Sequence, residues 1–258
     1  MAIATIIAVS EMDTTLDGLL DRRVTLEQPA KGYRVSIDTV LLAAAVPAES
    51  GQTLLDLGSG VGGAMLCVAC RVPGLSVTAL EIQAELYALC QRNASRNLFS
   101  GSFSVRRGDV AQLPADLGAF DHVIMNAPYH PETQHTVSKQ ATKRIANAEK
   151  EGELGQWILA ADRSLKTGGT LTLIHRADRL PDILAMLSGN FNGIELLTVH
   201  PKAAAAPLRV ILRARKGGDR YVRQHRKLVL HGPEGGYTAE AEAILRHANK
   251  MDFVAEVT

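Results

Sequence analysis

The sequence predicts an α/β protein in which a seven-stranded, mostly parallel sheet with one antiparallel strand is covered by helices on both faces. Two observations carry this. Apolar runs of four to six residues alternate with longer stretches of helical periodicity, the mark of a parallel sheet between helical layers. The connection between the last two runs, Pro201 to Pro207, is an alanine-rich loop too short for a crossover helix, so those two strands must pair antiparallel.

The apolar start, Met1 to Val9, is short, lacks basic residues and runs into Glu11 and Asp13, so it reads as a frayed tail or a strand, not as a signal peptide or membrane span. A helix follows at Ile37 to Val46. Strands are expected at Thr53–Leu57, Val77–Leu80, Phe103–Arg106, His122–Met125, Thr170–Ile174, Ile194–Val199 and Arg209–Leu212. Helices are expected between them at Gly63–Arg71, Ala84–Asn97, Glu153–Leu165 and Asp178–Leu187, and one more at Ala239–Asn249. No repeat or low-complexity linker divides the chain, so 258 residues read as one domain with decorations. Residues 1–50 form an N-terminal extension, 51–215 the core, and 216–258 a basic hairpin and helix.

With 28 basic and 27 acidic side chains the net charge is +1, which excludes a global field drawing the protein to nucleic acid or membrane. Three cysteines are too few and too close together for a secreted disulfide framework, and a cytoplasmic location is the default. Cys67 and Cys70 make a C-x-x-C, but inside an apolar helical run that reads as core packing. His130 and His135 have no acidic partner at ligand spacing, so no metal is expected.

Leu54-Leu55-Asp56-Leu57-Gly58-Ser59-Gly60-Val61-Gly62-Gly63 is a strand turning through glycines into a helix, the Rossmann-like device for bringing backbone close to a ligand. Gly58, Gly60 and Gly63 satisfy G-x-G-x-x-G, which leaves a dinucleotide open, with Glu81 as its ribose ligand. Asp56 argues against that. Two residues before the first glycine, it would repel a pyrophosphate but could meet the ammonium of a methionine moiety. Asp-Leu-Gly-Ser-Gly is also similar to the first motif of methyltransferases, which makes S-adenosylmethionine the expected cofactor. Glu81 at the end of the second core strand would accept from both ribose hydroxyls. Asp109 and Val110, after the third, are candidates for the cofactor's adenine.

After the fourth core strand comes Met125-Asn126-Ala127-Pro128-Tyr129. It resembles the Asn-Pro-Pro-Tyr motif of methyltransferases acting on N6 of adenine or on amide nitrogen, with Ala127 in place of the first proline. An aromatic amine is a poor nucleophile because its lone pair is delocalised into the ring. The side-chain oxygen of Asn126 and the carbonyl of Ala127 could each accept one N–H and free the lone pair, while Pro128 fixes the turn and Tyr129 stacks on an extruded base. Asn126 also counts among the cofactor contacts. No strong general base is required, and catalysis would rest on positioning and electrostatics.

The segment Gly32 to Leu42, the Asn-Ala-Pro-Tyr, and the late stretch Lys227 to Pro233 with Tyr237-Thr238 resemble the bacterial tRNA(Val) adenine-N6 methyltransferase family over about residues 16 to 250. The resemblance implies methyl transfer to an adenine in a tRNA anticodon loop. It also implies an N-terminal segment lying over the cofactor, which makes Tyr33 and Asp38 secondary ligand candidates. Arg213, Arg215, Lys216, Arg220, Arg223, Arg226 and Lys227 form a basic run suited to phosphates, and Lys139, Lys143 and Arg144 would flank the same groove. The alternatives are a protein glutamine methyltransferase, a non-catalytic RNA-binding module and a dinucleotide oxidoreductase. The oligomeric state is open.

Overall fold

A computed structural model of the chain describes residues 13–32, 34–127 and 154–253. The chain opens with an antiparallel hairpin, β1 (Thr14–Leu19) and β2 (Val24–Pro29), followed by α1 (Ile37–Ala45). The core then runs β3 (Thr53–Leu57), α2 (Gly63–Arg71), β4 (Leu75–Glu81), α3 (Ala84–Arg96), β5 (Gly101–Arg107) and β6 (Phe120–Met125). A helix over residues 154–164, α4, leads into β7 (Leu165–Arg176), α5 (Leu180–Leu187), β8 (Phe191–His200) and β9 (Arg209–Lys216). Two short strands, β10 (Val222–Gln224) and β11 (Leu228–Val229), and α6 (Ala239–His247) complete the described chain.

All seven expected core strands form, in the order β8-β9-β7-β6-β3-β4-β5. β3 pairs in parallel with β4 and β6, β4 with β5, and β6 with β7, while β9 lies antiparallel to both β7 and β8. Alternate residues on these strands feed two cores. Leu54, Ile124, Ile174 and Ile211 pack under α1, α2, α3 and α6, whereas Leu55, Val123, Leu173 and Leu212 pack under α4 and α5. Burial on both faces is why the strands read as continuous apolar runs.

Three features depart from expectation. The N-terminal hairpin was not anticipated, because β1 is largely exposed and only β2 is apolar on its inner side. Leu165, expected to end a helix, begins β7 directly after α4. The C-terminal segment departs from the expected basic hairpin: β10 and β11 each pair in parallel with β8 and extend the sheet edge, and the antiparallel bridge in this segment joins His231 to Tyr237 instead.

Both ends are tied to the core by specific contacts. Arg213 on β9 is buried, donates to the carbonyls of Ala45 (2.6 Å) and Met251 (3.3 Å), and stacks 3.7 Å above the Phe253 ring. On the other side, α3 presents two carboxamides to β2 as a neighbouring strand would. Asn97 accepts from the Thr25 N–H and donates to its carbonyl. Asn93, fully buried, accepts from the Glu27 N–H (2.7 Å) and donates to the Glu27 carbonyl (2.8 Å) and to the Val61 carbonyl in the glycine turn (2.9 Å).

Replacing Asn93 with leucine, close in volume but apolar, strands one backbone donor and two acceptors, each costing about 1–3 kcal/mol when left unpaired. Urea unfolding of Asn93→Leu should show a loss of about 3 kcal/mol or more. A loss near zero would show that the hairpin and the glycine turn are held by other contacts.

Candidate active site

The site residues converge because β6, β3, β4 and β5 are parallel and adjacent, so their carboxyl ends open on one crevice. Strand order reverses at β3, and ligands in open α/β sheets bind at such a reversal. The turn after β3 runs through Gly58 (φ +64°), Gly60 (φ +57°) and Gly62 (φ +88°), a left-handed backbone that side chains disfavour. Gly58 is doubly constrained, since a Cβ there would also collide with the six-membered ring of Trp157. A Cβ on Gly63 would lie 3.0 Å from Val35 and 3.1 Å from Thr39, so the N-terminal segment packs directly against the start of α2.

Glu81, ending β4, is 4% exposed and fixes this turn: Oε2 accepts the Gly60 N–H and Oε1 the Gln83 N–H, both at 2.8 Å. Asp56, one residue before the end of β3, is buried and accepts the Met65 N–H at 3.3 Å. Burial pushes its carboxyl up to about 8, partly countered by that hydrogen bond and reinforced by the Glu81 charge. A carboxyl so poised gains from a cation brought beside it. Asp109 is half-buried, with Oδ1 accepting the Ala111 N–H (2.8 Å), and Val110 beside it is buried.

At the end of β6, Asn126 is half-buried and its Oδ1 is inaccessible to solvent with no hydrogen-bond partner. A buried acceptor without a donor costs about 1–3 kcal/mol, and native proteins seldom retain one without a use. Ala127 is buried against the core on the α4 side. Pro128 and Tyr129 lie outside the described residues, as do Tyr33, Lys139, Lys143, Arg144, His130 and His135.

Thus Asp56, Gly58, Gly60, Glu81, Asp109, Val110, Asn126 and Ala127 all lie at or just after the carboxyl ends of four adjacent parallel strands. Asp38 requires correction as a ligand candidate. It is buried at the start of α1 with its carboxylate accepting from Arg209 Nε at 2.7 Å, a clamp between α1 and β9. The basic run also requires correction. The register pairs Arg209 with Arg176 at the crevice end of the sheet and Arg215 with Thr170 at the other, so Arg215 and Lys216 stand at the far end. Arg213 is buried, Lys216 donates to the Asp162 and Leu165 carbonyls, Arg226 forks onto Glu240, and Lys227 donates to the Ala203 carbonyl.

Two residues at the crevice escaped the sequence reading. Trp157 on α4 covers Gly58, and Ile82, directly after Glu81, is a large apolar side chain left 54% exposed. Exposure of a large apolar residue beside the buried Glu81 carboxylate was the missing signal for Ile82, and only the fold supplies it. Cys67 is buried and all three cysteines are unpaired, in keeping with core packing. Among the described residues no cluster of His, Cys, Asp and Glu fits a metal ion, and no helix is long and apolar enough to cross a membrane.

Residues 32–202 match the family model described as methyltransferase small domain. The chain is 30% identical to the tRNA1(Val) (adenine(37)-N6)-methyltransferase of Shewanella amazonensis over 224 residues, covering 83% of this chain and 91% of that one. It is 27% identical over 193 residues to the release factor glutamine methyltransferase of Chlorobaculum tepidum, covering 71% and 66%. Among solved structures, an Agrobacterium tumefaciens protein described as a predicted O-methyltransferase superposes with a TM-score of 0.68 at 25% identity, over 85% of this chain and 100% of that one.

Between the ordinary aspartate range and about pH 8, an unfolded Asp56 is ionised while the folded one keeps its proton. The ligand-free protein therefore loses stability as pH rises through that window. Asp56→Asn removes this dependence, so its melting-temperature advantage over the wild type should widen between pH 5 and about pH 8. A constant difference would mean that Asp56 is ionised throughout.

Proposed function

We propose that this chain, which belongs to the methyltransferase small-domain family and is an S-adenosylmethionine-dependent N-methyltransferase, acts on N6 of the adenine at position 37 of a tRNA. The observation that carries the reading is the buried, unpartnered Oδ1 of Asn126 at the end of β6. An acceptor kept dry and unpaired suits an exocyclic amine, which brings the missing N–H.

The residues in the crevice fit a nucleoside with an amino-acid arm. Glu81 suits the ribose hydroxyls, Ile82 and Val110 offer apolar surface to an adenine with Asp109 beside it, and the glycine turn admits the arm with Asp56 near its ammonium. When bound, S-adenosylmethionine supplies a methyl group on a positively charged sulfur. Asn126 Oδ1 and the Ala127 carbonyl then take the two amine hydrogens out of the ring plane, leaving the lone pair directed at the methyl. As the N–C bond formed, the C–S bond would break and the sulfur leave as a neutral thioether, and the cationic amine would then lose one proton to water as its lone pair rejoins the ring.

The tRNA reading draws on the name of the Shewanella relative and on the cations at the crevice end of the sheet. Arg107 ends β5 and Lys202 is exposed just after β8, whereas Arg176, which ends β7, is forked onto Asp178. Together with Arg220 and Arg223, exposed members of the 213–227 run, Arg107 and Lys202 are the expected phosphate contacts, and they predict salt-sensitive binding.

Methyl transfer from labelled cofactor to unmodified tRNA, followed by nucleoside analysis, should yield N6-methyladenosine. Asn126→Ala should lower kcat about 10²–10³-fold, the range for removing one preorganised polar contact at the reacting group. Label appearing in protein glutamine while tRNA stays unlabelled would overturn the adenine reading in favour of the activity named for the Chlorobaculum relative. Cofactor affinity should also fall as pH drops below about 8, because Asp56 takes up a proton that its cationic partner must displace, and Asp56→Asn should flatten that profile.

A further inference from the structure

The only tryptophan of the chain stands where the cofactor reading assigns it no task. Trp157 projects from α4 onto the turn after β3. A Cβ on Gly58 would fall inside the van der Waals envelope of its ring, 2.8 Å from Cζ3, so the indole touches the backbone of the first glycine. The side chain is half-buried and packs against a core that includes Leu57, Met125 and Ala127. It therefore touches Gly58 on the face of the sheet whose core contains the last residues of β3 and β6.

Strand order gives this placement its meaning. Glu81 ends β4, Gly58 follows β3 and Asn126 follows β6, and the three strands lie side by side with β3 in the middle. A nucleoside held at Glu81 must extend over Gly58 to bring its methyl to Asn126. Trp157 belongs to the helix that leads into β7, and β7 lies beside β6, on the acceptor's side of β3 in the sheet.

We infer that the Trp157 indole is the wall of the cofactor pocket at its methionine end, a positioning residue that sets how far the methyl-bearing sulfur lies from Asn126. The inference rests on the S-adenosylmethionine reading and adds a residue to it. A half-buried aromatic wall excludes water from the border between methyl and amine, and its rigid ring fixes the gap with few rotamers. It also explains why Gly58 tolerates no side chain even apart from its positive φ.

The test follows Trp157 emission and binding heat in parallel as S-adenosylmethionine is titrated into the wild-type protein. The expected result is a saturable emission change with the same Kd as the heat. Trp157→Leu should weaken cofactor binding about tenfold and Trp157→Phe by less, while the KM for tRNA stays within about twofold. Heat without any emission change would overturn the wall, even if the leucine variant failed to fold. So would a folded Trp157→Leu with unchanged Kd. Absence of heat from the wild type would overturn the cofactor reading itself, a different failure.

Discussion

The hydrogen bond from the Gly60 N–H to the buried Glu81 carboxylate holds together the part of the molecule that binds ligand. A turn of four glycines in six residues has almost no side chains with which to hold its own shape, and its backbone must be fixed from outside. Glu81 does this from the end of β4, and Asn93 does it from α3 by donating to the Val61 carbonyl. Charged acceptors make the stronger hydrogen bonds, about 1.5–3 kcal/mol each, so a single carboxylate can set the position of the turn. The same carboxylate is the group proposed to meet the ribose, which couples the shape of the turn to the presence of the cofactor.

Asn93 extends this coupling outward. Because its carboxamide also pairs with both backbone groups of Glu27, the glycine turn and the N-terminal hairpin are held by one side chain. Val35 and Thr39 press on Gly63 from the same extension. The described part of the N-terminal extension thus acts on the glycine turn through packing and hydrogen bonds. Asp38, one of two secondary ligand candidates there, anchors α1 to Arg209.

The parallel strands and the glycine turn were legible in the sequence because both impose local patterns: continuous apolar runs where a strand is buried on both faces, and glycines where φ must be positive. Asp56, Glu81 and Asn126 were legible by position, since each lies at or near the end of a recognisable strand. β1 escaped because its residues are largely exposed and its partner's outer edge is satisfied by side chains of α3, a long-range arrangement with no local signature. The basic run misled for a related reason. Seven cations in fifteen positions look like one patch in a sequence, yet Arg213 is buried, Arg215 and Lys216 stand at the far end of β9, and Arg226 is forked onto Glu240. Trp157 could not be read as a site residue without knowing that α4 covers Gly58.

The central claim is that the free acceptor on Asn126 exists to receive an amine. A crystal structure of the chain with S-adenosylhomocysteine and an unmodified anticodon stem-loop tests it most directly. The account predicts an extruded adenine whose N6 lies about 3 Å from both Asn126 Oδ1 and the Ala127 carbonyl. An adenine bound elsewhere, or Asn126 Oδ1 paired with another protein group while the base occupies the crevice, would contradict it.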